Sequence, residues 1–220
     1  MTVRRPPPPQ MRLPLQAEDG VRAQDLVIGD SNRAAAERLD GWPDGLVPVL
    51  ALYGPPGCGK SRLAARWAER TGAVPLHGAE AALIDPLELE GRPVLLDDAQ
   101  DADDETLFHL FNLARAPGGA LLLVAQTPPA NWRAALPDLR SRLDATPALA
   151  IETPDDAVLE AMLRGRFAQR AITPSDDLIA YLLRRIDRSA QAAADIVDRL
   201  HADPRPATRA TARLLLNDPG

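Results

Sequence analysis

Short continuous apolar runs alternate with amphipathic stretches between residues 47 and 152. Val47-Pro48-Val49-Leu50-Ala51-Leu52-Tyr53 is the clearest run, of the kind that forms a strand buried on both faces. Pro48 fits only near its start, because proline cannot donate to a ladder. Runs at 74–77, 94–96, 120–125 and 148–152 predict four more strands. Between them, helices are expected over 60–70, 103–115 and 136–143, and residues 79–89 read as helical or irregular. The 103–115 segment sets Leu107, Leu110, Phe111 and Ala114 on one face. Upstream, Ser31 is a good N-cap for a helix over 32–39 with Ala35, Ala36 and Leu39 on one side. Trp42-Pro43-Asp44-Gly45 is turn chemistry.

Strands alternating with helices imply a doubly wound parallel sheet. After Thr153 the pattern becomes purely helical, over 155–170, 175–186, 189–202 and 208–216. Thr153-Pro154-Asp155-Asp156 and Thr173-Pro174-Ser175-Asp176 are helix-start signals. The expected organisation is an α/β core at 25–153, with a five-stranded sheet, and a small all-helical lid at 154–220. Residues 1–24 read as a flexible tail, since Pro6-Pro7-Pro8-Pro9 is restricted to polyproline II and no periodic apolar pattern follows until Leu26. Within it, Gln10-Met11-Arg12-Leu13-Pro14-Leu15 carries three apolar residues in polar surroundings.

Composition narrows the classes. The 220 residues carry a net charge of −6, which argues against a generic basic nucleic-acid footprint. One cysteine excludes an intrachain disulfide framework. No apolar run approaches about 18 residues, and none follows Arg4-Arg5, so no membrane association and a cytoplasmic location are expected. The cationic residues are 24 arginines and a single lysine, Lys60.

That lysine falls in Gly54-Pro55-Pro56-Gly57-Cys58-Gly59-Lys60-Ser61, a G-x-x-x-x-G-K-S phosphate-binding loop between a predicted strand and a predicted helix. Gly57 and Gly59 let the backbone curl so that successive N–H groups converge on phosphate oxygens, and the helix N-terminus adds its positive end. Lys60 would neutralise the β- and γ-phosphates, and the Ser61 hydroxyl would ligate Mg²⁺. The candidate cofactor-binding set is Gly54, Pro56, Gly57, Cys58, Gly59, Lys60, Ser61 and Arg62. Cys58 has two readings, a small residue in a variable slot or a thiol of lowered pKa at a helix N-terminus.

Asp97-Asp98 ends the strand predicted at 94–96. Asp97 is the candidate for holding Mg²⁺ through water, and Asp98 for orienting or activating an attacking water. Gln126, at the tip of the 120–125 strand, is placed to touch the γ-phosphate or that water. Arg142 closes the short helix at 136–143, where a guanidinium can project into a neighbouring subunit's nucleotide as an arginine finger.

Asp25-Leu26-Val27-Ile28-Gly29-Asp30-Ser31-Asn32-Arg33-Ala34-Ala35, the phosphate loop, Leu95-Leu96-Asp97-Asp98-Ala99-Gln100 and the stretch from Pro128-Pro129 to Leu139-Arg140-Ser141-Arg142-Leu143 together resemble the AAA+ module of the DnaA family of bacterial replication initiators, over about residues 25–202. The resemblance implies an AAA+ P-loop NTPase core with a helical lid, ADP or ATP with Mg²⁺, and an adenine pocket lined by Val27, Ile28 and Gly29. The Gln10–Leu15 hexapeptide resembles the anchor by which regulatory members of the family join the DNA polymerase III sliding clamp, its β subunit. There Gln10 would hydrogen-bond while Leu13 and Leu15 fill an apolar pocket.

The resemblance further implies a negative regulator of chromosomal replication initiation. Tethered to the clamp, it would stimulate ATP hydrolysis by DnaA through Arg142, with weak or no hydrolysis of its own. DNA would be reached only through the clamp, and a homo-oligomer is admitted. The alternative is an autonomous AAA+ ATPase such as a helicase loader. In the lid, Asp187-Arg188-Ser189-Ala190-Gln191 aligns with the segment that supplies the family's sensor arginine; the aligned residue is Gln191, with Arg188 nearby.

Overall fold

Pro48 has no N–H, so the first strand, β1 (Val49–Tyr53), begins one residue after it. The Pro48 carbonyl still accepts from the Leu121 N–H at 2.9 Å. The computed structural model describes residues 26–216. The expected tail, with Gln10, Leu13 and Leu15, therefore lies outside the described residues.

Strands β2 (Val74–His77), β3 (Pro93–Asp97), β4 (Ala120–Ala125) and β5 (Ala148–Ala150) join β1 in one sheet of order β2-β3-β4-β1-β5. All four pairings are parallel, with Val49 opposite Leu121 and Val94 opposite both Val74 and Leu121. The crossovers are α2 (Lys60–Thr71), α3 (Asp104–Leu113) and α4 (Pro137–Ala145), and α1 (Arg33–Asp40) precedes the sheet. The unbroken apolar runs are explained by two covered faces. Val49, Ala51, Leu121 and Leu123 point to one core with Leu107, Phe111, Leu139 and Leu143. Leu50, Leu52, Leu122 and Val124 point to the other with Leu39, Leu63 and Trp67. Leu52 and Leu122 are fully buried, and truncating such a side chain to alanine costs about 2–5 kcal/mol.

Two expectations change at the boundaries. Residues 79–89 form two 3₁₀ segments, Gly78–Leu83 and Pro86–Leu89, because Pro86 and the Asp85 side chain, which accepts from Leu87 N at 3.0 Å, interrupt any longer helix. Helix α1 is capped at Asn32 rather than Ser31, and without a side-chain cap bond. The Asn32 amide is used upstream, accepting from Gly29 N at 3.0 Å and donating to Val27 O at 2.9 Å. It thereby fixes the 27–29 segment beside the sheet.

Beyond β5 the chain is helical: α5 (Asp156–Gln169), α6 (Asp176–Leu183), α7 (Ala190–Ala202) and α8 (Arg209–Leu216). The N-caps Asp155, Ser175 and Ser189 each accept a backbone N–H with their side chains. These helices enclose a third core of their own, around Leu159, Leu163, Phe167, Leu182 and Val197. Among the described residues, no helix is long and apolar enough to cross a membrane.

Candidate nucleotide site

The glycine-rich loop between β1 and α2 adopts a geometry that its glycines require. Gly57 has φ +71° and Gly59 φ +104°, in the left-handed region. At Gly54 a β-carbon would come within 2.2 Å of the Ile151 carbonyl oxygen. Gly59 is the N-cap of α2 and offers no side chain to its first turn, so the N–H groups there remain available to an anion. The Lys60 ammonium donates to the carbonyls of Gly54 at 3.0 Å and Pro55 at 2.9 Å, which holds the cation over the loop. Pro56 is exposed on the rim, and Arg62 lies half-buried in the first turn of α2. This donor set fits a phosphate chain.

Cys58 is buried against the α1/α2 side of the sheet. Burial pushes its thiol up, with nearby Lys60 opposing. The reading of an activated, oxidation-prone thiol is therefore corrected: the residue fills space.

The acidic pair sits where β3 ends. The Ser61 hydroxyl lies close enough to the Asp97 carboxyl to oppose the rise in its pKa, so the two groups suited to Mg²⁺ are neighbours. Burial raises the Asp97 pKa and the Asp98 charge adds to this, while the Asp98 N–H, Ser61 and His77 oppose it. A carboxylate desolvated in this way favours a cation partner. Asp98 follows in the left-handed region, at φ +47°. Its Oδ2 is 3.1 Å from His77 Nε2, and Gln100 Nε2 donates to its Oδ1 at 3.4 Å. Gln126 emerges, exposed, just beyond β4, the strand between β3 and β1.

The lid reaches this loop through backbone. The Ala190 N–H, at the start of α7, donates to the Gly57 carbonyl at 3.0 Å. Gly57 lies so close that a β-carbon there would meet Ser189 Cβ at 3.0 Å and Ala190 N at 3.2 Å. Arg188 is turned to the start of α5, donating to Pro154 O at 3.2 Å and to Asp156 Oδ1 at 2.5 Å. Gln191 is bonded to Asp195 at 2.7 Å. Of the 27–29 segment, Val27 is 37% exposed, Ile28 packs against the sheet core and Gly29 lies under the Asp155 carboxylate.

Arg142 stands apart from this cluster, on α4 against α3. Its Nη1 donates to Asn112 Oδ1 at 2.7 Å, its Nη2 pairs with Asp138 Oδ2 at 2.7 Å, and its guanidinium lies 4.6 Å from the centre of the Phe108 ring. The structure thus brings Ser61 of the loop beside Asp97, turns the next residue, Asp98, to His77 and Gln100, and keeps Arg188 and Arg142 on other partners. Sequence reasoning did not single out His77, Asp155 as a tie to the core, Ser189 as a neighbour of the phosphate loop, or the residues around Arg142. Asp155 and Ser189 carried a signal only as helix starts.

No known family profile matches the chain. Its fold is similar to that of domain III of the replication initiation protein DnaA from Thermotoga maritima, with a TM-score of 0.73 at 18% identity over 89% of this chain and 95% of that one. AMPPCP-bound DnaA from Aquifex aeolicus gives a TM-score of 0.66 at 17% identity over 82% of this chain. The present chain spans 64% of the length of that protein. A point mutant of Thermotoga maritima RuvB gives 0.62 at 16% identity, over 85% of this chain and 68% of that one. The fold is that of an AAA+ P-loop NTPase, a five-stranded parallel sheet followed by helices as in DnaA domain III.

Proposed function

We propose that the chain is a nucleotide-holding regulator of the DnaA initiator, of the Hda type. Its body, the α/β core at 25–153 and the lid at 154–220, holds ADP or ATP. The first-turn N–H groups of α2 and the Lys60 ammonium bind the phosphates, Ser61 and Asp97 hold Mg²⁺, and Val27, Ile28 and Gly29 border the base. Arg142 is offered in trans to ATP on DnaA, where a guanidinium stabilises the charge that develops as the γ-phosphate leaves. Gln10, Leu13 and Leu15 anchor the chain to the sliding clamp, which raises its local concentration on DNA. The DnaA likeness in fold and the AMPPCP named with one such neighbour support this reading.

The observation that carries it is the lid contact. Ala190 meets the phosphate loop through its backbone N–H, while Arg188 and Gln191 bond elsewhere. A lid fastened to the loop by neutral backbone adds no cation to the transition state of the chain's own nucleotide. That favours a scaffold over a motor. The complete Asp97-Asp98 pair supports the second reading, an autonomous ATPase such as a helicase loader.

ATP turnover separates the two. The regulator is expected to stimulate hydrolysis by ATP-bound DnaA in the presence of clamp-loaded DNA. Arg142→Ala should lose that stimulation by a factor of about 10³ or more and keep its bound nucleotide. Brisk turnover by the chain alone, unaffected by Arg142→Ala, would establish the loader-type ATPase instead.

A further inference from the structure

Given Arg142 as the cation offered in trans, its placement poses a geometric problem. A finger must turn its N–H groups toward phosphate oxygens across an interface. Here Nη1 is committed to Asn112 and Nη2 to Asp138, one face of the guanidinium is against Phe108, and only 14% of the side chain is exposed. Nε is buried without a hydrogen-bond partner. The observed position is therefore not the position in which the cation acts.

We propose that Phe108, Asn112 and Asp138 form a cradle that stores the Arg142 guanidinium in the free protein and yields it when a nucleotide-bearing partner docks. They are positioning residues. They set the concentration at which stimulated hydrolysis begins, and leave its ceiling to Arg142 itself.

The chemistry of the cradle makes it shallow. The Arg142–Asp138 pair is an i,i+4 contact whose acid is 62% exposed, so water and salt screen it. The ring adds a modest cation–π attraction. The unpartnered Nε works against storage, since a buried donor left unbonded is unfavourable. A phosphate chain offers stronger, charge-assisted acceptors to all of these groups, so docking can draw the side chain out. Arg140, one half-turn earlier on α4, is the contrast. It bonds Asp144 and the carbonyls of Pro129, Ala130 and Trp132, which fastens the loop leading into α4. Four backbone and side-chain acceptors make a staple, whereas Arg142 has exchangeable side-chain partners.

A cation stored for most of the time lowers apparent potency by the fraction released. Asp138→Asn and Phe108→Leu in the full chain should therefore lower the half-saturating concentration for stimulating ATP-bound DnaA on clamp-loaded DNA. The expected shift is roughly twofold to fivefold, the effect of removing one screened contact, with an unchanged plateau. An unchanged or raised half-saturating concentration in both variants overturns the proposal. A second measurement reads storage without the partner. In ¹⁵N-arginine-labelled protein, the Arg142 Nε–H signal, assigned by its loss in Arg142→Lys, should be displaced by the Phe108 ring current and should move in Phe108→Leu. A signal that stays in place in Phe108→Leu overturns storage. Failure of the wild-type chain to stimulate would overturn the in-trans reading, and the Nε–H measurement would still decide whether the cradle stores the cation.

Discussion

Gly29 and Asp155 are in contact across the boundary between the sheet and the helices that follow it. A β-carbon at Gly29 would stand 2.4 Å from Asp155 Oδ2 and 2.6 Å from Val158 Cγ2. The same carboxylate caps α5 by accepting from Val158 N at 2.9 Å, and accepts from Ser31 N at 3.1 Å. One acid thus ends the 27–31 segment and starts the lid. Gly29→Ala is expected to destabilise by about 1–3 kcal/mol through overpacking, and Asp155→Ala by about 1 kcal/mol as a lost cap. The double variant should cost less than their sum, because both break one contact. Urea unfolding of the three variants measures this.

The same acid predicts a pH dependence. The Val158 N–H, joined by that of Ser31, holds the Asp155 carboxyl below its ordinary 3.8, against partial burial. A depressed carboxyl contributes stability that is present above its unfolded value and is lost as pH falls through the folded one. Asp155→Asn keeps the cap oxygen and removes the charge. Its deficit should be full at neutral pH and shrink in acid, below the ordinary carboxylate range. A deficit that stays constant down to about pH 3 would assign the effect to shape instead of charge.

What the sequence made legible was local. The strands could be read because both faces of the sheet are covered, so Leu50 to Leu52 and Leu121 to Val124 are apolar without alternation. The phosphate loop is one continuous motif, and the caps at Asp155, Ser175 and Ser189 lie within three residues of the N–H groups they accept. Contacts that depend on chain return were not legible. Ser31 and Asp155 are 124 positions apart, and Arg142 and Asn112 are 30 apart. Nothing in either local pattern announces its partner. Residues 79–89 resisted assignment for a different reason: 3₁₀ turns have neither the helical nor the strand period.

Lys60 gives the most direct test of nucleotide holding. Its ammonium rests on the carbonyls of Gly54 and Pro55, bonds that water can replace at a half-exposed site. Lys60→Ala should leave stability within about 1 kcal/mol and weaken ADP binding by roughly a hundredfold, since a charge-assisted bond is worth about 1.5–3 kcal/mol. Fluorescent ADP titration and thermal unfolding, run on the same sample, check both halves.

The proposed anchor can be tested by itself. Gln10→Ala with Leu13→Ala should abolish capture by the sliding clamp, with melting temperature and nucleotide retention followed on the same sample as controls for folding. Undiminished capture would remove the tail from the mechanism.

Gly57 is the point where the lid touches the phosphate loop, and it is strained for any other residue twice over. Its φ of +71° disfavours an L side chain, and a β-carbon would press on Ser189 Cβ at 3.0 Å and Ala190 N at 3.2 Å. Gly57→Ala must therefore shift either the loop or the start of α7, and both are joined by the Ala190–Gly57 bond. The expected result is loss of nucleotide affinity with faster amide exchange at the first turn of α7. Ser189→Ala keeps the loop intact and removes only the side-chain cap bond to Ala192, so it should loosen α7 by about 1 kcal/mol while nucleotide affinity falls less. If Ser189→Ala weakened binding as much as Gly57→Ala, the lid would be acting as a ligand of the nucleotide in its own right and not as a fastening for the loop.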